Sequence, residues 1–178
     1  MKRSGLCESM TLLVCESSPR WLPALKVAVA AAAAANEDGE KNSRTRLRVQ
    51  ALERWPEPAW LAELTTPTAI LLEVSEANLP RALRWIRVSR RVPTTVAVGV
   101  LDQAFLNQAS ADQIDTVREA LLEAGAARVV RSTLDLSDVL PLVGRHLREA
   151  TGVLDAAGSL REAVWRRLPW QPSPAPLR

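Results

Sequence analysis

Only two cysteines, Cys7 and Cys15, and one histidine, His146, occur in the chain of 178 residues. Two thiols are too few for a disulfide framework, and neither stands at metal-ligand spacing from the imidazole. Cys15 lies in an apolar run and is expected to be a buried thiol, and a reducing cytoplasm suits this usage. Long apolar runs are missing as well. Lys2 and Arg3 precede no signal-type apolar segment, because Glu8 and Glu16 bracket only Met10 to Cys15. The Ala-rich stretch from Val27 to Ala35 is too short to span a bilayer. Neither secretion nor membrane insertion is expected. The chain also has no G-x-G-x-x-G, P-loop, H-E-x-x-H or G-x-S-x-G segment. His146, beside Leu147 on the last expected helix, has no convincing catalytic partner in sequence. These absences predict no catalytic residue, no bound metal and no cofactor.

What is present is ordinary for a folded domain. The apolar fraction of 47% and charged fraction of 24% exclude wholesale disorder, and the length suits one domain with trimmings. Lysine occurs only at Lys2, Lys26 and Lys41, so arginine carries nearly all of the positive charge behind a mild net +3. Pro169, Pro172, Pro174 and Pro176 crowd the last ten residues into a tail. The expected organisation is a leader at 1–9, a domain at 10–150, a short helical extension at 151–168 and a Pro-rich tail at 169–178.

Strand and helix signals alternate along the domain. Thr11 to Cys15 is a continuous apolar run of the kind buried on both sheet faces. Ser18-Pro19 follows as a cap and first-turn proline for a helix carrying Leu22, Leu25 and Val29 and prolonged by Ala30 to Ala35. After a polar loop from Asn36 to Ser43, Arg46 to Ala51 alternates in the manner of a half-wet edge strand. A short helix is expected from the Trp55–Pro58 segment through Leu64, then a buried strand at Ala69 to Leu72 that ends near Glu73. A third helix carries Leu79, Leu83 and Ile86, and a fourth strand spans Thr95 to Leu101. Asp102 to Asp112 is expected to be a polar connection. The fourth helix carries Ile114, Val117, Leu121 and Leu122 and stops at Gly125; Arg128 to Arg131 forms the fifth strand. The fifth helix carries Leu136, Leu140, Val143 and Leu147, capped by Asp135 or Ser137, with Pro141 tolerable only in its first turns. The pattern predicts an α/β fold, a doubly wound five-stranded parallel sheet with helices on both faces and strand order 2-1-3-4-5, followed by a C-terminal helical extension. Ligands of such sheets sit beyond the carboxyl ends of the strands, where Glu16, Ser17, Glu73, Ser75, Leu101, Asp102, Arg131 and Ser132 fall.

Over residues 10–149 the chain resembles the receiver domains of response regulators (the CheY-like family). Leu12 to Pro19 resembles the first strand and acidic pair, with Glu16 as the first acid and Ser17 in place of the second. Ile70 to Val74 resembles the strand ending in the phosphorylated aspartate, with Glu73 in that position. Glu119 to Arg131 resembles the fourth helix, Gly-Ala turn and fifth strand, with Arg131 where the lysine is expected. The hydroxyl residue after the fourth strand is missing, Val98, Gly99 and Val100 occupying that region. The resemblance implies phosphotransfer through a carboxyl nucleophile, Mg²⁺, a lysine and a hydroxyl; the departures imply that this has been lost. Glu73 is one methylene too long, about an ångström of displacement that can cost about a hundredfold. Arg131 substitutes a planar fork for a point charge. Two readings of the pocket remain, a built-in negative charge at Glu73 facing Arg131 or drift at a dead site.

The expected function is therefore a phosphorylation-independent pseudo-receiver that binds proteins in signalling or regulation, through the fourth helix, fifth strand and fifth helix, with a partner or a second copy. Arg118, Glu119 and Glu123, and Asp138, Arg145, Arg148 and Glu149, supply both signs of charge for such pairing. The alternative is an atypical receiver still phosphorylated on a pocket carboxyl group. A weaker alternative is a nucleic-acid-binding regulator: Arg81, Arg84, Arg87 and Arg90, spaced by threes, with Arg91 and Trp85 nearby, form an acid-free arginine stripe. Trp165, between Val164 and Arg166, is a further candidate contact. Leu160, Val164 and Leu168 give the extension an apolar stripe able to cover the pairing surface instead.

Overall fold

The computed structural model describes residues 9–36, 46–64 and 66–157. Five parallel strands, β1 (Ser9–Cys15), β2 (Arg46–Leu52), β3 (Thr68–Val74), β4 (Thr95–Leu101) and β5 (Arg128–Val130), form one sheet in the order β2-β1-β3-β4-β5. That is the strand order of the CheY-like and flavodoxin-like fold, as the sequence pattern predicts. Helices α1 (Trp21–Asn36), α2 (Leu79–Ser89), α3 (Gln103–Gln108), α4 (Ala111–Ala124) and α5 (Leu136–Ala157) connect and cover it, with 3₁₀ turns at Pro58–Glu63 and Thr133–Asp135. The helices expected third, fourth and fifth are α2, α4 and α5.

Every residue of β3 and β4 is buried, because helices lie on both faces. Alternate residues therefore enter two cores. Leu12, Val14, Ala69, Leu71, Val98 and Val100 pack with Trp21 and Leu25 of α1 and with Leu136, Val139, Val143 and Leu147 of α5. Leu13, Cys15, Ile70, Leu72 and Ala97 pack with Ala82, Trp85 and Ile86 of α2 and with Leu121 and Ala124 of α4. Trp85 is thus a core residue; its indole Nε1 donates to the Pro56 carbonyl at 2.8 Å and ties down the segment ahead of the first 3₁₀ turn. Gly99 gives α4 its closeness to the sheet, since a Cβ there would stand 3.3 Å from the Leu121 side chain.

Several local expectations are corrected. Asp102 to Asp112 is not an irregular connection but contains α3, followed by α4 with a reciprocal Ser110–Gln113 capping box. Helix α1 begins at Trp21, not behind a Ser18 cap, and Pro19 lies in the preceding turn. Asp135 stands directly before α5, and the Ser137 hydroxyl donates to the Leu134 carbonyl at 3.1 Å. Ser132 caps the 3₁₀ turn that feeds into α5, Asp135 returning an acceptor to the Ser132 N–H at 3.2 Å, and Pro141 sits in the helix on an exposed position. Helix α5 runs unbroken past residue 150 to Ala157, so no helix end marks the expected boundary there. The expected tail at 169–178, and the extension beyond Ala157 with Trp165, lie outside the described residues, as does the leader through residue 8.

Two positions test this packing. Gly125 terminates α4 at φ +113°, and a Cβ there would come within 2.8 Å of the Arg90 side chain. Gly125→Ala is expected to lower stability by about 1–2 kcal/mol in urea titration, combining left-handed strain with that crowding. Burial pushes the Cys15 thiol up to about 12, opposed weakly by Arg81. Because the folded state then holds its proton where the unfolded chain releases it, stability is expected to fall as pH rises above about 8.5. Cys15→Ala is expected to flatten that alkaline slope, measured by denaturation at pH 8 and 10.

Candidate functional site

The carboxyl ends of parallel strands leave a rim where the chain must turn, and here polar side chains replace the apolar run. Glu73, the penultimate residue of β3, lies on the same face as Ala69 and Leu71, the α1/α5 side. Its side chain is buried, with 2% exposure, and its register partner on β4 is Val100. The connection from β1 to α1 reaches over it. Ser17 donates twice to Glu73 Oε2, through its backbone N–H at 2.6 Å and through its hydroxyl. Glu73 Oε1 is buried with no hydrogen-bond partner among the described residues. Behind it, Asn78 fastens the β3–α2 turn, its Nδ2 donating to the Glu73 carbonyl and its Oδ1 accepting from the Ser75 N–H, each at 3.0 Å.

Glu16 does something the sequence did not indicate. Its carboxyl oxygens accept the backbone N–H groups of Arg20 (3.0 Å), Trp21 and Leu22 (3.1 Å). These are orphan donors at the start of α1, so Glu16 takes the role expected of Ser18. The negative side chain also meets the positive end of the helix dipole. Glu16 is thereby committed to the helix rather than to the Glu73 pocket.

Arg131 is committed elsewhere too. Val130 enters the α1/α5 core while Val129 packs toward the α2/α4 side, and Arg131, next in the alternation, forms an ion pair with Asp115 of α4. It makes no ion pair with Glu73 among the described residues. The expectation of a charge on Glu73 facing Arg131 is therefore corrected: Arg131, just past the end of β5, pairs with Asp115 of α4 instead. The region after the fourth strand is corrected as well. Val98 to Val100 lie within β4, which runs to Leu101, and the first polar side chain beyond it is Asp102. The Asp102 N–H bonds the Val74 carbonyl at 2.9 Å.

Of the four pocket residues, the structure brings Ser17 and Glu73 together and sends Glu16 and Arg131 to other partners. This donor set does not fit Mg²⁺. One acidic group is saturated by helix N–H groups, the second position is a neutral serine, and one Glu73 oxygen already receives two hydrogen bonds. Among the described residues no group of three or more His, Cys, Asp or Glu side chains could hold a metal ion.

A second feature lies at the sheet edge. A groove of about 400 Å³ runs over β5, floored by Ala127 to Arg131 and walled by Arg118 and Leu122 of α4 and by Asp135 and Asp138 on the α5 side. Arg118 and Arg128 are exposed and in no ion pair among the described residues. Leu142, 40% exposed, follows Asp138 by one turn of α5 and precedes Arg145, which pairs with Glu149 along the same helix. Leu142 went unnoticed in the sequence, although its i+4 spacing from Asp138 and i−3 spacing from Arg145 place it on their stripe.

No protein-family model and no curated protein matches the chain. Solved structures similar to it include a CheY-like protein, tadZ, from Pseudomonas aeruginosa PAO1 (14% identity, TM-score 0.49, covering 76% of this chain and 93% of that one). Others are a putative pilus assembly protein, CpaE2, from Sinorhizobium meliloti 1021 (19%, 0.47, 76% and 98%) and a response regulator CheY-like protein from Mesorhizobium loti (16%, 0.45, 78% and 99%).

The Ser17–Glu73 contact and the Glu16 cap have separable energetic signatures. Ser17→Ala removes one donor from a buried carboxyl group and is expected to cost about 1–2 kcal/mol. Glu16→Ala strands the N–H groups that open α1 and is expected to cost a similar amount, about 1–2 kcal/mol. Chemical denaturation of each variant checks both values; a neutral Glu16→Ala would contradict the capping role.

Proposed function

We propose that this chain is a phosphorylation-independent pseudo-receiver, a signalling or regulatory module that acts by binding proteins rather than by catalysis. The observation that carries this reading is the double hydrogen bond from Ser17 to Glu73. It fills with the protein's own donors the position where a receiver would present a free nucleophile. The Glu16 cap supports the same reading, because a carboxyl group bound to three helix N–H groups is poorly placed to share a metal. Phosphotransfer also depends on positioning and electrostatics more than on covalent chemistry, so removing several positioned groups together is severe.

Binding is assigned to the face formed by α4, β5 and α5. Its groove offers apolar area at Leu122, with Leu142 nearby on α5, beside both signs of charge, and a two-fold interface needs both signs because each patch meets its own copy. Exposed charge pairs contribute only about 0–1 kcal/mol each, so they set register while the apolar residues supply affinity. Backbone pairing along β5 adds little, since the strand is three residues long.

Incubation of the full chain with acetyl phosphate and Mg²⁺ is expected to give no phosphoryl adduct by intact mass. An adduct that disappears in Glu73→Ala would overturn the reading in favour of an atypical working receiver. Sedimentation of the full chain is expected to show a dimer that Arg118→Glu with Arg128→Glu dissociates, or a monomer whose partner binding the same variant abolishes. A dimer or complex indifferent to that variant would place binding elsewhere.

A further inference from the structure

Among the described residues only two ion pairs join side chains, Arg131 with Asp115 and Arg145 with Glu149. None of the five arginines between Arg81 and Arg91 takes part. Two of them serve the fold. Arg81 donates to the Trp55 carbonyl at 3.0 Å and lies 5.7 Å over that indole ring, and the stem of Arg90 packs against Gly125. Arg84, Arg87 and Arg91 remain exposed. At 100° per residue Arg84 and Arg87 project from the side of α2 opposite the buried Ala82, Trp85, Ile86 and Ser89, and Arg91 stands in the turn just past the helix end.

We propose that this row is a contact surface for the phosphate backbone of nucleic acid, separate from the groove over β5. The choice of partner rests on what the face lacks. The large exposed hydrophobic residues among the described ones are Val27, Leu134 and Leu142, and none is on α2. A helix that lies on a membrane needs an apolar face to insert, and a protein interface needs an apolar centre for affinity. Neither is offered here. Backbone phosphates require only cationic donors in a row, and guanidinium groups grip them in a bidentate manner that lysine cannot reproduce. Contacts of this kind position a protein on nucleic acid without reading its sequence.

Counterion release makes the proposal quantitative. Three phosphate contacts on a duplex imply a slope of about −2.7 in log affinity against log salt, or roughly a 40-fold loss between about 50 and about 200 mM. The test is fluorescence anisotropy of a labelled duplex with the full chain, starting at about 50 mM salt. Arg84→Glu with Arg87→Glu is expected to weaken binding and leave a loss of only about 3.5-fold over the same salt range. Arg84→Gln with Arg87→Gln, which removes the contacts without adding repulsion, is expected to give the same shallow slope. Circular dichroism melting checks that both remain folded. Arg118→Glu with Arg128→Glu, which disrupts the proposed protein-binding groove, is expected to bind duplex with the wild-type slope. No binding by wild type at low salt overturns the proposal, as does an unchanged slope in the Glu and Gln pairs of α2. Equal loss in the groove variant overturns the separation of the two faces. Anionic vesicles bound as tightly as the duplex, with the same dependence on Arg84 and Arg87, assign the row to a membrane instead.

Discussion

Burial of β3 and β4 on both faces is the constraint from which the other features follow. A strand covered on both sides cannot carry a polar side chain inside its span without a partner, so polar groups are pushed to the rim where the strands end. Glu73 sits at that limit, still buried, and the chain meets the cost by bringing Ser17 over it. The β1–α1 connection is then held at two adjacent points. Ser17 binds β3 while Glu16 binds the first turn of α1. Strand, connection and helix therefore share one hydrogen-bonded junction, and the geometry of the rim depends on it.

The same two-sided burial made the fold legible in the sequence. Leu12 to Cys15, Ala69 to Leu72 and Val96 to Leu101 have no alternation because no face is wet, whereas Arg46 to Ala51 alternates because β2 is an edge. The sheet order follows from such a pattern with few alternatives. The site was only half legible. Ser17 and Glu73 stand at strand ends, positions that the pattern identifies. The capping role of Glu16 was hidden because a carboxyl group four to six residues before the N–H groups it binds lies outside the usual serine–proline signal at Ser18-Pro19. The Arg131–Asp115 pair joins residues sixteen apart in sequence, on a strand end and a helix. Only the packing of α4 against the sheet brings them together. Helix α3 was missed for a different reason: six residues are too few to show a helical period.

The two exposed faces differ in the kind of energy they can supply. The β5 groove mixes Leu122 with arginines and aspartates, so a partner seated there gains from water exclusion and is selected by charge pattern. The α2 row has charge of one sign and no apolar neighbour among the large exposed residues. Whatever it holds is held by screened electrostatics and is released by salt. α2 belongs to one core and α5 to the other, while α4 lines the groove and also packs against α2. Helix α4 is therefore the element that joins the groove to α2.

That arrangement bears on how such a module can switch. In a phosphorylated receiver the bias between conformations comes from new bonds at the acidic pocket. Here Ser17 already supplies hydrogen bonds to Glu73, and these are present before any ligand arrives. A conformational equilibrium can be moved only by a ligand that binds its two states unequally, by about 1.4 kcal/mol for each tenfold change in population. With Glu73 Oε2 already doubly hydrogen-bonded, further differential contacts are available at the surface, on groups left without partners in the resting chain. Arg118 and Arg128 at the groove, Arg84 and Arg87 on α2, and Arg91 in the turn after it are such groups among the described residues. Arg118 and Leu122 of α4 line the groove, while Leu121 and Ala124 of the same helix enter the core shared with α2. Gly99 sets the distance of Leu121 from the sheet, since a Cβ there would stand 3.3 Å from the Leu121 side chain. Under the proposed function, the input to this domain is a binding event at its edge rather than a chemical event at its rim.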